Sequence, residues 1–330
     1  MAYNWVPIIG EFRVEDDAVE FIGKLVGASS PEPGEAPGAT APAPARFPAL
    51  GTILSDQCLA NGAVSASVVF EEVGDRSACE IVLGYDVERR GFISAGITGD
   101  DVAAFAIREW QPGTPGSQVP SEMPGWVPFV LGGDRSFIKA GQRYTIQVNI
   151  SGAQLALDID GVRVGATSLR SPILVPRPVG IWCLSHAKVT IDAFVVSAVR
   201  PNAFVVMQFA KPFDDVYADV IRDTCLRVGL DAVRSDEIYG PGLIIRDIVD
   251  RILRSQVVIA EITPENANVY FEIGYALAWN KPIVLLARQG TELPFDVSGF
   301  RVLFYEDSIG GKARLQKGLE QHLRAIMGRI

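Results

Sequence analysis

The sequence predicts an all-β sandwich over residues 1–199, followed by an α/β, doubly wound parallel sheet over residues 200–330. Three observations carry this. Up to about Ala198, short runs alternate apolar and polar with period two and are rich in β-branched residues. From Asn202 the rhythm changes to apolar strand, amphipathic helix, apolar strand, the pattern of a parallel sheet covered on both faces. Between the two, Arg200-Pro201 interrupts the last β run. A chain of 330 residues is also longer than one ordinary domain requires.

In the first half, residues 63–70 (AVSASVVF), 81–85 (IVLGY), 92–97 (FISAGI), 144–150 (YTIQVNI) and 155–159 (LALDI) read as strands. Asp160-Gly161 is a tight-turn signal, VRVGA follows it, and VGIWCL and VTIDAFVVSAV close the half. Residues 28–48 hold six prolines and read as a surface insertion, because such a segment cannot bury a core. Residues 110–126, rich in Gly, Pro and Ser, read as a long loop. In the second half, residues 203–209 predict a buried strand with a nearly continuous apolar run. Residues 214–228 predict a helix with Val216, Val220, Ile221, Cys225 and Val228 on one face, stopped by Gly229. Residues 230–236 predict a strand, 243–253 an amphipathic helix, and 256–262 a strand at the sheet centre. A helix over 268–279, strands over 282–288 and 302–305, and a helix over 312–327 complete the pattern.

Composition narrows the function. The hydrophobic fraction of 48% and charged fraction of 21% are those of a globular chain. A net charge of -9 argues against a polymeric nucleic-acid partner, which needs clustered Lys and Arg. It does not oppose a small nucleotide, which a few groups can hold. No apolar run reaches the roughly eighteen residues of a membrane span, and the opening MAYNWVPIIGEFRVEDD lacks a basic n-region, so neither membrane nor secretory signal is expected. Cys58, Cys79, Cys183 and Cys225 show no CxxC spacing and read as reduced thiols of a cytoplasmic protein. With two histidines, His186 and His322, no His-rich metal site is expected.

In an open α/β sheet, ligands bind beyond the carboxyl ends of the strands. The residues to read are therefore Gln208, Phe209 and Lys211 after the first strand, and Arg234 and Asp236 after the second. Glu261 follows the third, and Arg288 and Asp296 follow the fourth. Glu272 stands apart: it is a carboxylate in a helix crowded with Tyr270, Phe271, Tyr275 and Trp279. Burying it is costly unless it is paired or functional. Asn268, Tyr275 and Trp279 are spaced to share its face, as a pocket wall for a sugar and a flat base would require. Periodicity alone equally allows a solvated glutamate over an aromatic core. Gly240-Pro241-Gly242 reads as a turn or as a phosphate-binding helix start.

The runs FVVMQF (204–209), FDDVY (213–217), RSDE (234–237), VIAEIT (258–263) and NVYFEIGYA (268–276), with KPIV (281–284) and LPFD (293–296), resemble the TIR-like / nucleoside 2-deoxyribosyltransferase-like superfamily over about 130 residues. The resemblance implies a flavodoxin-like domain that cleaves the N-glycosidic bond of NAD or a related nucleotide, with Glu272 as the catalytic carboxylate and NAD as substrate rather than cofactor. It also implies action in assemblies, so a homo-oligomer is expected. The family commonly has Asp where Glu261 stands, which puts the substrate in question. Loss of a base from C1′ develops oxocarbenium character that a carboxylate below the ring stabilises or captures. Nicotinamide leaves NAD neutral and needs no general acid. Another base would need one, and Asp296 and Asp236 are the candidates.

In the first half, YTIQVNI, Gly152, LALDIDG, VGIW and VTIDAFVV resemble concanavalin A-like / laminin-G-like jelly-roll sandwiches. That resemblance implies a carbohydrate or protein ligand. Tyr85, Asp86, Trp110 and Trp126 are either its contacts or loop anchors. Asp158 and Asp160 alone are too few oxygens for Ca²⁺. The combined expectation is a recognition module fused to a nucleotide N-glycosidase, by analogy a regulated effector in defence or stress signalling. A non-catalytic nucleotide-binding or assembly module and a salvage deoxyribosyltransferase are the alternatives.

Overall fold

The computed structural model describes residues 3–16, 18–27, 46–74, 76–99, 103–113, 124–237 and 244–328. Most of the proline-rich insertion, residues 114–123 of the second loop, and Gly240-Pro241-Gly242 lie outside the described residues. Two antiparallel sheets occupy the first half. The first runs β1 (Trp5–Ile9), β5 (Arg46–Leu59), β14 (Arg177–Ser185), β7 (Ala78–Leu83), β8 (Phe92–Ile97), β9 (Phe105–Gln111) and β10 (Gly125–Gly132), with β4 (Leu25–Gly27) also paired to β5. The second runs β13 (Val162–Ser168), β12 (Gln154–Ile159), β11 (Arg143–Ser151), β6 (Gly62–Phe70), β15 (Val189–Ala198), β3 (Ala18–Phe21) and β2 (Phe12–Glu15).

The period-two pattern fixes which face is inside. Val64, Ala66, Val68 and Phe70 of β6 and Tyr144, Ile146, Val148 and Ile150 of β11 are buried in one core with Ile53, Ile81, Ile97 and Ile107 of the facing sheet. Ile159 pairs with Val162 across Asp160-Gly161, both at positive φ, the two-residue turn that matches strand twist. The first sheet is covered on its other face too, by Tyr85, Phe92, Trp110, Trp126 and Trp182. Glu80 is fully buried there and accepts from Ser94 Oγ, from Arg108 Nε at 3.0 Å and from Arg108 Nη2 at 2.5 Å. The Arg108 guanidinium lies 3.8 Å over the Trp126 ring and 5.0 Å from that of Trp182.

Five parallel strands follow: β16 (Asn202–Val206), β17 (Asp231–Arg234), β18 (Val257–Glu261), β19 (Ile283–Arg288) and β20 (Val302–Tyr305). Their order, β17-β16-β18-β19-β20, is 2-1-3-4-5 in chain order, that of a flavodoxin-like sheet. One face packs on α1 (Phe213–Val216), α2 (Arg222–Arg227) and α5 (Ile309–Ile326), the other on α3 (Ile244–Arg254) and α4 (Ala267–Ala278). The helix expected over 214–228 is not uniform: a π-helical turn at Tyr217–Ile221 separates α1 from α2. Val216, Tyr217, Val220 and Ile221 are all buried beside it, a wider apolar stripe than a regular helix presents. The last helix starts at Ile309, earlier than its apolar pattern, because Ser308 caps it by accepting from Gly311 N at 3.0 Å.

The β11–β12 turn meets the end of α3. Ala153 N donates to Leu253 O at 2.9 Å, and Gln256 Nε2 reaches Ala60 O and Ile173 O at 3.4 and 3.1 Å. The buried Lys281 Nζ donates to Leu253 O and Ser255 O, both at 2.6 Å. These contacts supply partners for carbonyls that a helix C-terminus leaves open.

Candidate functional site

The carboxyl ends of β16, β18, β19 and β20 form one edge of the parallel sheet. β18 ends on Glu261, which is 1% exposed. Its Oε2 accepts from Thr263 N at 3.1 Å, whereas its Oε1 has no hydrogen-bond partner among the described residues. The same is true of Arg288 Nε and Tyr305 Oη, also buried. Arg288 and Tyr305 are the last residues of β19 and β20 and stand opposite each other in register. The three atoms thus sit together on the last residues of three neighbouring strands, outside strict hydrogen-bond geometry but near enough for Tyr305 and Arg288 to act on the Glu261 carboxyl. Burial pushes the Glu261 pKa up to about 7, against the pull of Thr263, Tyr305 and Arg288. Burial, then the Glu261 charge, also raises that of Tyr305. Arg288 is held by Asp307 at 2.8 Å and lies 5.2 Å from the Phe213 ring centroid.

β18 leads into α4, whose start is fixed by Asn266 accepting from Asn268 N at 2.9 Å. Glu272 lies on the covered face of α4 with Val269, Ile273 and Ala276 and is 6% exposed. It has no hydrogen bond or ion pair among the described residues, and burial alone raises its pKa to about 7. Glu272 thus lies on the covered face of α4, while its carboxylate oxygens, unlike Glu261 Oε1, are not sealed from solvent. Asn268 is exposed. Tyr275 is half-buried and stacks on Phe271 at 6.4 Å, and Trp279 is half-buried just past the helix.

At the ends of β16 and β17, Arg234 donates to Asp214 at 2.7 Å and to both oxygens of Asp236 at 2.7 and 2.6 Å. Its guanidinium faces Tyr217 at 4.6 Å and Phe209 at 5.2 Å. Asp236 is thus engaged in a fork with Arg234 that occupies both its oxygens. Gln208 is half-buried beside Phe209. Lys211 is exposed and only 3.9 Å from Asp215, so it stands off the buried cluster. Asp296 belongs to a short 3-10 turn, Phe295–Val297, and its side chain lies outside the described residues. The acid with a raised pKa at this edge is Glu261, read from the sequence only as a substrate contact. Tyr305 was missed, although the strand-end rule applied to the last apolar run, VLFY, points to it. The described residues contain no group of three or more His, Cys, Asp or Glu that could hold a metal ion.

No family model and no curated protein matches the chain. Several solved structures are similar to parts of it. A carbohydrate-binding module, CBM66, from Bacillus subtilis aligns with 59% of this chain and 93% of its own, at 10% identity and TM-score 0.36. The TIR domain of a Toll-related receptor from Hydra magnipapillata aligns with 37% and 97%, at 16% identity and TM-score 0.32. A CMP N-glycosidase from Clostridium botulinum aligns with 36% and 98%, at 17% identity and TM-score 0.29. At such low identities and scores these likenesses carry no argument about activity or ligand.

Proposed function

We propose that the α/β half cleaves the N-glycosidic bond of NAD or a related nucleotide. The observation that carries this reading is Glu272, a buried carboxylate without a partner in the helix that follows the central strand. In its ionised form Glu272 lies below the ribose and stabilises C1′ as the C1′–N bond breaks and its electron pair leaves with the base. Water then adds its oxygen to C1′ and loses its proton to bulk solvent, leaving the hydroxyl there. Glu261, with a pKa of about 7, holds the proton that a base other than nicotinamide needs on leaving. Gln208, Phe209, Arg234, Asn268 and Tyr275 bound the substrate. The β-sandwich is the recognition half, and the protein acts in the cytoplasm as a homo-oligomer.

The test is product analysis by mass spectrometry after incubation with NAD, NADP, ATP and deoxynucleosides. Wild type releases nicotinamide or free base, and Glu272→Gln lowers release by at least about 100-fold, about 2.7 kcal/mol in the barrier. Equal release from both proteins refutes the role of Glu272. A second reading, nucleotide binding without turnover, is favoured by the Glu261 side chain, which Thr263 holds and the fold closes from solvent. Saturable nucleotide binding with no product over hours supports it.

A further inference from the structure

Strand β15 carries a bulge, and the bulge builds a cavity. The pairing of β15 with β6 runs from Asp192 opposite Ser67 to Val195 opposite Ser65, so one extra residue is inserted. Ala193 takes it up at φ +49°, a backbone region that favours glycine. The insertion reverses which residues point inward. Val189 and Ile191 are buried before it, Phe194 is buried after it at 6% exposure, and Val195 is turned out at 48%. Without the bulge, period two would put Ala193 and Val195 inside and Phe194 outside.

Phe194 thereby meets β1, the edge strand of the facing sheet. Its ring centroid lies 4.8 Å from that of Trp5 and 5.4 Å from that of Tyr3, with the planes at 67° and 90°. The Tyr3 and Trp5 rings are 6.2 Å apart at 72°. Rings set so steeply to one another form the walls of a box rather than a stack. With Asp16, Val195 and Val196 they bound a cavity of about 390 Å³. That is within the range of small-molecule sites, roughly 300–1,000 Å³. Asp16 comes from the turn between β2 and β3, where Glu15 pairs with Ala18, and its φ of +49° suits such a turn. Its carboxylate has no hydrogen bond or ion pair among the described residues. It is also the one charged side chain among the described residues that bound the cavity. No Arg or Lys of the described residues stands over any of the three rings.

Aromatic faces are negative, and beside a free carboxylate they attract a cation. Which cation follows from what the lining lacks. A primary ammonium has three N–H donors, and the only side-chain acceptors for them are Asp16 and the Tyr3 hydroxyl. A sugar is matched no better, because its many hydroxyls meet the same two groups. A quaternary ammonium has no donor to satisfy. It spreads its charge over methyl groups, which pack on the rings and on the two valines. We propose that the cavity between β1, β15 and the β2–β3 turn binds a small quaternary ammonium cation of the size of choline, with Tyr3, Trp5 and Phe194 as walls and Asp16 as counter-charge.

The test uses the full chain and reads no turnover, so its outcome is independent of the glycosidase reading. Calorimetric titration compares choline with its uncharged isostere, in which a tert-butyl group replaces the trimethylammonium. Choline binds saturably and about tenfold or more tighter than the isostere, as attraction to ring faces in a partly desolvated cavity implies. Asp16→Asn keeps the turn, since asparagine also accepts positive φ. It weakens choline by about fivefold and leaves the isostere unchanged. Trp5→Leu keeps an apolar wall without the π face and weakens choline by a similar factor. Asp16 is exposed, so its variant reads the site even if Trp5→Leu loosens the sheet edge. Equal affinity for choline and the isostere overturns the proposal, because the cavity is then only an apolar hollow. So does the lack of saturable choline binding up to about 10 mM, or binding that both variants leave unchanged.

Discussion

Glu261 and Glu272 ionise near pH 4.5 when unfolded and near 7 when folded. Between those values the unfolded chain binds fewer protons, so their contribution to stability falls as pH rises and levels off above 7. The full effect at Glu272 is about 3 kcal/mol, from 1.36 kcal/mol for each pH unit between the two values. Glu272→Gln therefore raises the melting temperature at pH 8 and leaves it nearly unchanged at pH 4.5; an equal rise at both would show that Glu272 is not held neutral. The proposed activity carries the same titration into a rate profile. If Glu272 acts ionised, as proposed, base release from NAD should rise with pH through about 7 and then stay flat. A nucleoside that needs the Glu261 proton gives a bell-shaped profile instead. Initial rates between pH 5 and 9 separate the two substrate classes. At this scale the sequence showed that Glu272 was out of place among aromatics, and its fate depended on neighbours far along the chain.

Two elements carry polar groups that their own residues cannot satisfy. The end of α3 depends on Lys281, which follows α4 and whose pKa burial lowers to about 7. Even the neutral amine has two N–H donors for the carbonyls of Leu253 and Ser255. Lys281→Met fills the space but strands Ser255 O and leaves Leu253 O with Ala153 N alone, and denaturant unfolding should show a loss of about 1–3 kcal/mol. Strands β7 and β9 depend on each other through Glu80 and Arg108 in the same way. Glu80→Ala leaves a guanidinium buried and unpaired beneath Trp126 and Trp182, and should cost about 3–5 kcal/mol by the same measurement. Neither pair has a sequence signal. Lys281 lies 28 residues from Leu253, and Glu80 lies 28 from Arg108.

The whole molecule turns on the contact between the β11–β12 turn and the end of α3. Gly152 has φ +60°, and an added Cβ would lie 2.5 Å from the backbone of Arg254 and Ser255. That clash involves backbone on both sides and cannot relax through a side chain. Gly152→Ala separates the halves, so one cooperative melting transition becomes two in calorimetry; a single unchanged transition would show that the contact does not couple them. The same turn was legible in the sequence as part of a β run, but nothing there showed that it meets a helix 100 residues away.

Local chemistry explains what the sequence determined by itself. Alternation along 63–70, 144–150 and 155–159 fixed the inner face of a sandwich, because side chains on a strand point to opposite sides. Apolar runs separated by amphipathic helices fixed a parallel sheet, and the strand-end rule then located Gln208, Arg234 and Glu261. Tertiary structure decided which of these groups is free to act. Asp236 is taken up by Arg234, Glu272 is buried without a partner, and Glu261 meets Arg288 and Tyr305 from two other strands. Burial and pairing are set by residues distant in the chain, and no local period records them.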